Sequence, residues 1–315
     1  MPTDTELVHA PHEPAEASGS TRHPTDGTCA DFRRELTPAW LSTVCLLAGQ
    51  RPLDLTRPFR YAHLGNGSGV TAAVVAALHP HAEVWAWDGH ASGVEATRRL
   101  RDAEGLTNLA VHERPGFPSN LGGDRGEMTD VVVLQDVMVH ASDDHRRSMV
   151  DAIGANLRPG GLVCVTYKTT VGWIEIAPVV VLMRHVAQRY TGDPASLVDH
   201  VLDLLATLRA GGALHLTERR AVAAWLDELA VTDDATIVAD YLRDPFRPLS
   251  HARLTHLLAP IGCDYVGIAR LTDELELDVP PPLAQMVANA PSRLLREAYR
   301  DLAVRRTYRL DVFRL

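Results

Sequence analysis

The chain is poor in the features that assign a protein most quickly. It has four cysteines among 315 residues. Cys29, Cys45, Cys164 and Cys263 lie too far apart for a C-x-x-C redox pair or a cluster motif. Cys164 and Cys263 fall in apolar, strand-like runs, so buried reduced thiols are expected. The fifteen histidines show no paired ligand spacing, and no metal site is predicted. No apolar run approaches the ~20 residues of a membrane span. The first thirty residues are rich in Pro, Thr, His, Glu and Asp and lack the apolar centre of a signal peptide. Residues 1–30 therefore read as a disordered tail, and the protein as cytoplasmic with no membrane partner. A net charge of -9 weighs against nucleic acid, because phosphate binding calls for a basic surface. A Gly-Lys-Ser/Thr phosphate loop is also missing, which argues against a nucleoside triphosphate.

What is present is a strand, a glycine-rich turn, a helix, a second strand and an acid. Arg60 to Leu64 is a short β-run, and Gly65, Gly67 and Gly69 then form a G-x-G-x-G turn that brings backbone close to a ligand. Val70 to Leu78 reads as a buried helix and Val84 to Trp87 as the next strand, with Asp88 at its end. A carboxylate there can accept hydrogen bonds from both hydroxyls of a ribose. The dinucleotide pattern G-x-G-x-x-G is not met, since no glycine follows at the third position.

Further elements follow in α/β order. Helices are expected over Pro38–Ala48, Gly93–Glu104 (capped by Gly105) and Asp144–Leu157, and strands over Leu109–His112, Asp130–Leu134 and Leu162–Tyr167. The continuous apolar run of the Asp130 strand places it centrally in a parallel sheet. After Trp173 the pattern turns helical, with Leu197, Val198, Val201, Leu202, Leu205 and Leu208 on one stripe and Val222, Trp225, Leu226 and Leu229 on another. Ser250 caps a further helix, and strands return at Cys263–Ile268 and Tyr308–Phe313.

From about Asp31 to Leu315 the chain resembles class I S-adenosylmethionine (SAM) dependent methyltransferases of the family carrying a methyltransferase regulatory domain. The resemblance rests on Glu35-Leu36-Thr37-Pro38, Leu64 to Val70, Arg158 to Val163, Gly172-Trp173, Tyr241-Leu242 with Pro248-Leu249, and Arg309 to Phe313. It implies a Rossmann-like α/β sheet of seven strands, the last antiparallel. Residues 31–173 would be the SAM-binding core, 174–248 a helical cap inserted between strands 5 and 6, and 249–315 the completion of the sheet. It implies SAM as cofactor, held by His63, Gly65, Asn66, Gly67, Gly69, Asp88, Gly89, Phe117 and Gln135. Asp136, His140 and Tyr167 stand where catalytic residues would lie.

Several positions depart from the family's pattern. His63 takes the place of an acid that helps hold the methionyl amino group, so affinity is expected to rise with pH through its titration. Asn66 replaces a small residue, Pro115 falls near the position of an adenine-binding acid, and Tyr167-Lys168 replaces Tyr-Asn. The function implied is N- or O-methylation of a small biosynthetic intermediate or a peptidyl side chain, and a homodimer is compatible with it. The alternative is a methyltransferase fold serving a non-methylating SAM-binding catalyst, such as an isomerase or cyclase, or a scaffold.

Overall fold

A computed structural model of the protein describes residues 32–113, 121, 128–243 and 245–315. The expected tail, Pro115 and Phe117 lie outside the described residues. Seven strands form one sheet in the order β3-β2-β1-β4-β5-β7-β6. They are β1 (Arg60–Leu64), β2 (Glu83–Asp88), β3 (Leu109–Glu113), β4 (Thr129–Gln135), β5 (Leu157–Lys168), β6 (Asp264–Ile268) and β7 (Tyr308–Arg314). The first five run parallel, and β7 inserts antiparallel between β5 and β6. The order reverses between β1 and β4, and a crevice at the carboxyl ends of such strands is where open α/β sheets bind ligands.

At the centre of the sheet, β4 carries no polar face between Val131 and Leu134. Val131, Val132, Val133 and Leu134 of β4 are all fully buried, with alternate residues contributing to two cores. One core lies under α1 (Pro38–Leu47) and α2 (Val70–Leu78), and joins Leu41 and Val44 to Ala72, Val75 and Tyr61. Next along the chain, α3 (Ala91–Ala103) ends at Gly105, whose φ of 61° permits the left-handed turn that stops a helix. The other core lies under α4 (Asp143–Asn156), whose first turn is capped by Ser142.

Helices fill the stretch between β5 and β6. They are α5 (Thr170–Trp173), α6 (Ala177–Arg189), α7 (Leu197–Ala210), α8 (Leu214–Thr217), α9 (Arg220–Leu229), α10 (Asp234–Ile237), a π-helix at Val238–Arg243, and α11 (His251–Leu258). Ser250 caps α11 as the sequence suggests, its hydroxyl accepting from the Arg253 amide. The stretch returns to the sheet at the carboxyl ends of β4 and β5. There the Arg247 amide donates to the Val139 carbonyl and the Leu249 amide to that of Lys168.

Three short helices not expected from the sequence, α12 (Leu271–Glu274), α13 (Pro281–Ala288) and α14 (Arg293–Ala303), separate β6 from β7. Helix α14 is inverted: it buries Glu297, Arg300 and Asp301 while Leu295 and Leu302 face outward. The inward charges meet Arg309 of β7, whose guanidinium donates to Asp311 at 2.9 Å, Glu297 at 2.8 Å and Asp301 at 2.5 Å. Strand β5 also starts five residues earlier than expected, because Leu157 pairs with Thr129 before a register shift.

Candidate functional site

The turn after β1 shows why this segment needs its glycines. Gly65 has φ 71°, and a Cβ there would stand 2.2 Å from the Gln135 carbonyl oxygen. A Cβ on Gly69 (φ 81°) would meet the Thr97 hydroxyl at 2.2 Å, so this glycine lets α3 approach the turn. Gly67 and Gly89 differ: a Cβ on either would project into open space. The Gly65 and Asn66 amides both donate to the Trp87 carbonyl, which ties the turn to the end of β2.

Asp88 lies buried at that end. Its Oδ2 accepts from the Gly67 amide at 2.7 Å and its Oδ1 from the His90 amide at 2.8 Å. Burial raises its pKa, opposed by these two amides. A carboxylate offers about four lone-pair sites, so each oxygen keeps acceptor capacity beside the open space at Gly67 and Gly89. Asn66 follows Gly65 in the turn and is itself buried. Its Nδ2 donates to the Thr97 hydroxyl at 2.9 Å, while its buried Oδ1 has no protein partner.

His63 is fully buried, with Nε2 3.0 Å from Gln135 Oε1 and Nδ1 3.4 Å from the Tyr61 hydroxyl. Burial drives its pKa down to about 4, with the charge of Arg33 adding to the shift and the Gln135 bond opposing it. The imidazole is therefore neutral from pH 5.5 upward, and the expected pH dependence of binding through His63 does not hold.

Beyond β4, Asp136 adopts φ 58°, a left-handed conformation uncommon for a residue with a side chain. Its amide donates to the Thr166 hydroxyl at 3.0 Å and its Oδ2 accepts from the Tyr308 hydroxyl at 2.9 Å. Its Oδ1 is buried without a protein partner. The Arg33 guanidinium donates to the same Tyr308 hydroxyl at 3.2 Å, and the Arg33 amide to Thr71 in the first turn of α2. Neither Arg33 nor Tyr308 carries a site signal in the sequence, and the two lie 275 positions apart.

Tyr167 is a correction. It is fully buried, its hydroxyl donates to Asp311 at 2.6 Å, and it belongs to the charged core under α11 and α14, not to the open crevice. Burial pushes its pKa well up, with Asp311 adding to the rise. His140 is half-buried, its ring 6.2 Å from that of Phe246.

Lys168, the only lysine in the chain, is also buried. Its Nζ lies 3.2 Å from Asp240 of the π-helix, over the rings of Trp173 and Tyr241. Burial alone would lower its pKa, but Asp240, Tyr241 and Asp136 outweigh that and raise it. The Trp173, Trp225, Tyr241 and Phe246 rings pack edge-on or tilted against one another as a buried cluster that forms the interior of the helical stretch.

Glycine turn, strand-terminal acid and strand order together define the fold of class I SAM-dependent methyltransferases. Residues 233–314 match the family model described as a predicted methyltransferase regulatory domain, which begins just before the π-helix. The chain is similar to the uncharacterized protein sll1526 of Synechocystis, 21% identical over 90% of this chain and 56% of that protein. Over 42% of this chain it is 27% identical to a release factor glutamine methyltransferase of Xylella fastidiosa, covering 54% of that enzyme. The solved structure of PKMT2 from Rickettsia typhi in complex with AdoHcy superposes with a TM-score of 0.70 at 17% identity, over 91% of this chain and 54% of that one. The chain thus spans about half the length of these proteins.

Proposed function

We propose that the protein is a SAM-dependent methyltransferase acting on a nitrogen or oxygen nucleophile of a small biosynthetic intermediate or a peptidyl side chain. The observation that carries this is Asp88. It is a buried carboxylate, fixed by the Gly67 and His90 amides, with acceptor capacity left beside two glycines that face open space. That arrangement fits a ribose diol. The lack of a phosphate loop fits a nucleoside whose 5′ position carries a sulfonium. SAM supplies an activated methyl group with its leaving group built in. The protein's task is to align the acceptor, exclude water and, where needed, take a proton.

In this reading Asp88 orients the ribose, and the open space at Gly67 and Gly89 leaves room for the cofactor to approach the backbone. The helices over 174–248 act as a substrate cap, since their chain returns at Val139 and Lys168 beside the crevice. Lys168 and Asp240 fasten the π-helix to the end of β5. His140, at the end of the loop after β4, is the candidate for removing a proton from the acceptor. The test incubates the protein with methyl-labelled SAM and a panel of amine, phenol and peptide acceptors. Label on an acceptor with equimolar S-adenosylhomocysteine supports the reading. Conversion of an acceptor with all label left on SAM contradicts it and favours the non-methylating alternative.

A further inference from the structure

The cofactor proposed above ends in a free amino acid, with an ammonium and a carboxylate that need opposite charges from the protein. Position 63 cannot answer the ammonium with charge, since the buried imidazole is already engaged by Gln135 and Tyr61. Asp88 is committed to the other end of the crevice. The described residues offer one further carboxylate at the carboxyl end of β4 with an unused buried oxygen, Asp136. Its unusual φ of 58° is held by Thr166, and its Oδ2 is held by Tyr308. Strain of this kind persists where the surroundings fix it and gathers at ligand sites. One hydroxyl away stands the opposite charge: Tyr308 accepts from Arg33 and donates to Asp136. Arg33 is in turn seated on the first turn of α2 through Thr71, directly after the glycine turn.

We infer that Asp136 and Arg33, bridged by the Tyr308 hydroxyl, form the receptor for the zwitterionic amino-acid end of the cofactor. Asp136 accepts the ammonium through Oδ1, and Arg33 provides the positive charge toward the carboxylate. Asp136 then serves cofactor binding and not proton removal from the acceptor. The inference rests on SAM being the cofactor, and the experiment separates the two.

The experiment measures calorimetric binding of S-adenosylhomocysteine and of 5′-deoxy-5′-methylthioadenosine, which has the nucleoside but no amino-acid end. Wild type, Asp136→Asn and Arg33→Met are compared. Asparagine tolerates the left-handed backbone, and retained binding of the truncated nucleoside shows that the crevice is intact. Loss of a charge-assisted hydrogen bond predicts about a 10- to 100-fold weaker Kd for S-adenosylhomocysteine in Asp136→Asn. Arg33→Met should weaken it in the same way, and the truncated nucleoside should bind all three proteins within about twofold. Equal affinity of variant and wild type for S-adenosylhomocysteine, or equal losses for both ligands, overturns the receptor. Binding of neither ligand by wild type overturns the cofactor reading along with it.

Discussion

The neutral, buried His63 has a consequence for stability that can be measured without any ligand. In the unfolded chain its pKa returns to the ordinary value of about 6.5, whereas burial holds it at about 4 in the folded protein. Between those values the unfolded state binds a proton that the folded state refuses, so stability falls as pH falls. Stability is complete above pH 6.5, and the loss accrues down to pH 4. A difference of this size corresponds to about 3 kcal/mol, a large part of the 5–15 kcal/mol typical of a domain. The perturbation is His63→Gln, which keeps a polar group beside Gln135 and removes the titration. Urea unfolding of both proteins from pH 7.5 to 4 gives the comparison, with all other titrating groups common to the two. The wild type should lose about 3 kcal/mol more than the variant over this range. Parallel loss in the two proteins would refute the assignment of a buried neutral imidazole.

Further outcomes follow from named contacts. Asp88→Ala should weaken S-adenosylhomocysteine binding by roughly 1.5–3 kcal/mol, the scale of truncating a charged hydrogen-bonding partner, and calorimetry reads it directly. Gly65→Ala puts a Cβ at 2.2 Å from the Gln135 carbonyl in a left-handed backbone. It should cost about 1–3 kcal/mol, visible as a lowered Tm, with a neutral result contradicting the close approach. Asp311→Ala removes the shared partner of Arg309, His251 and Tyr167. Breaking a buried ion pair from one side predicts a loss of about 3–5 kcal/mol in urea unfolding.

The first half of the fold is legible because its signals are local. Three glycines within five positions, apolar runs on either side and Asp88 at a strand end can be read without knowing what packs where. Ser250 and Gly105 likewise announce helix ends through their own chemistry. The second half hides because its charges are inside. Glu297, Arg300 and Asp301 on α14, and Arg309 and Asp311 on β7, would each be placed in solvent by polarity alone. They are buried because they satisfy one another across 8 to 12 positions of chain. Tyr167 defies its sequence position for the same reason, since nothing local shows that its hydroxyl points to Asp311. Asp136 stands out by its position after β4, but its left-handed φ and its bond to Tyr308 are tertiary facts. Arg33 has no sequence signal at all, as its partner lies at the far end of the chain.

In the proposed function, the crevice between the glycine turn and Asp88 holds the nucleoside of SAM. A crystal structure of the protein with S-adenosylhomocysteine tests it most directly. Both ribose hydroxyls should lie on the Asp88 carboxylate, with the Gly67 and His90 amides still in place behind it. A ligand bound elsewhere, or a ribose turned away from Asp88, would contradict it.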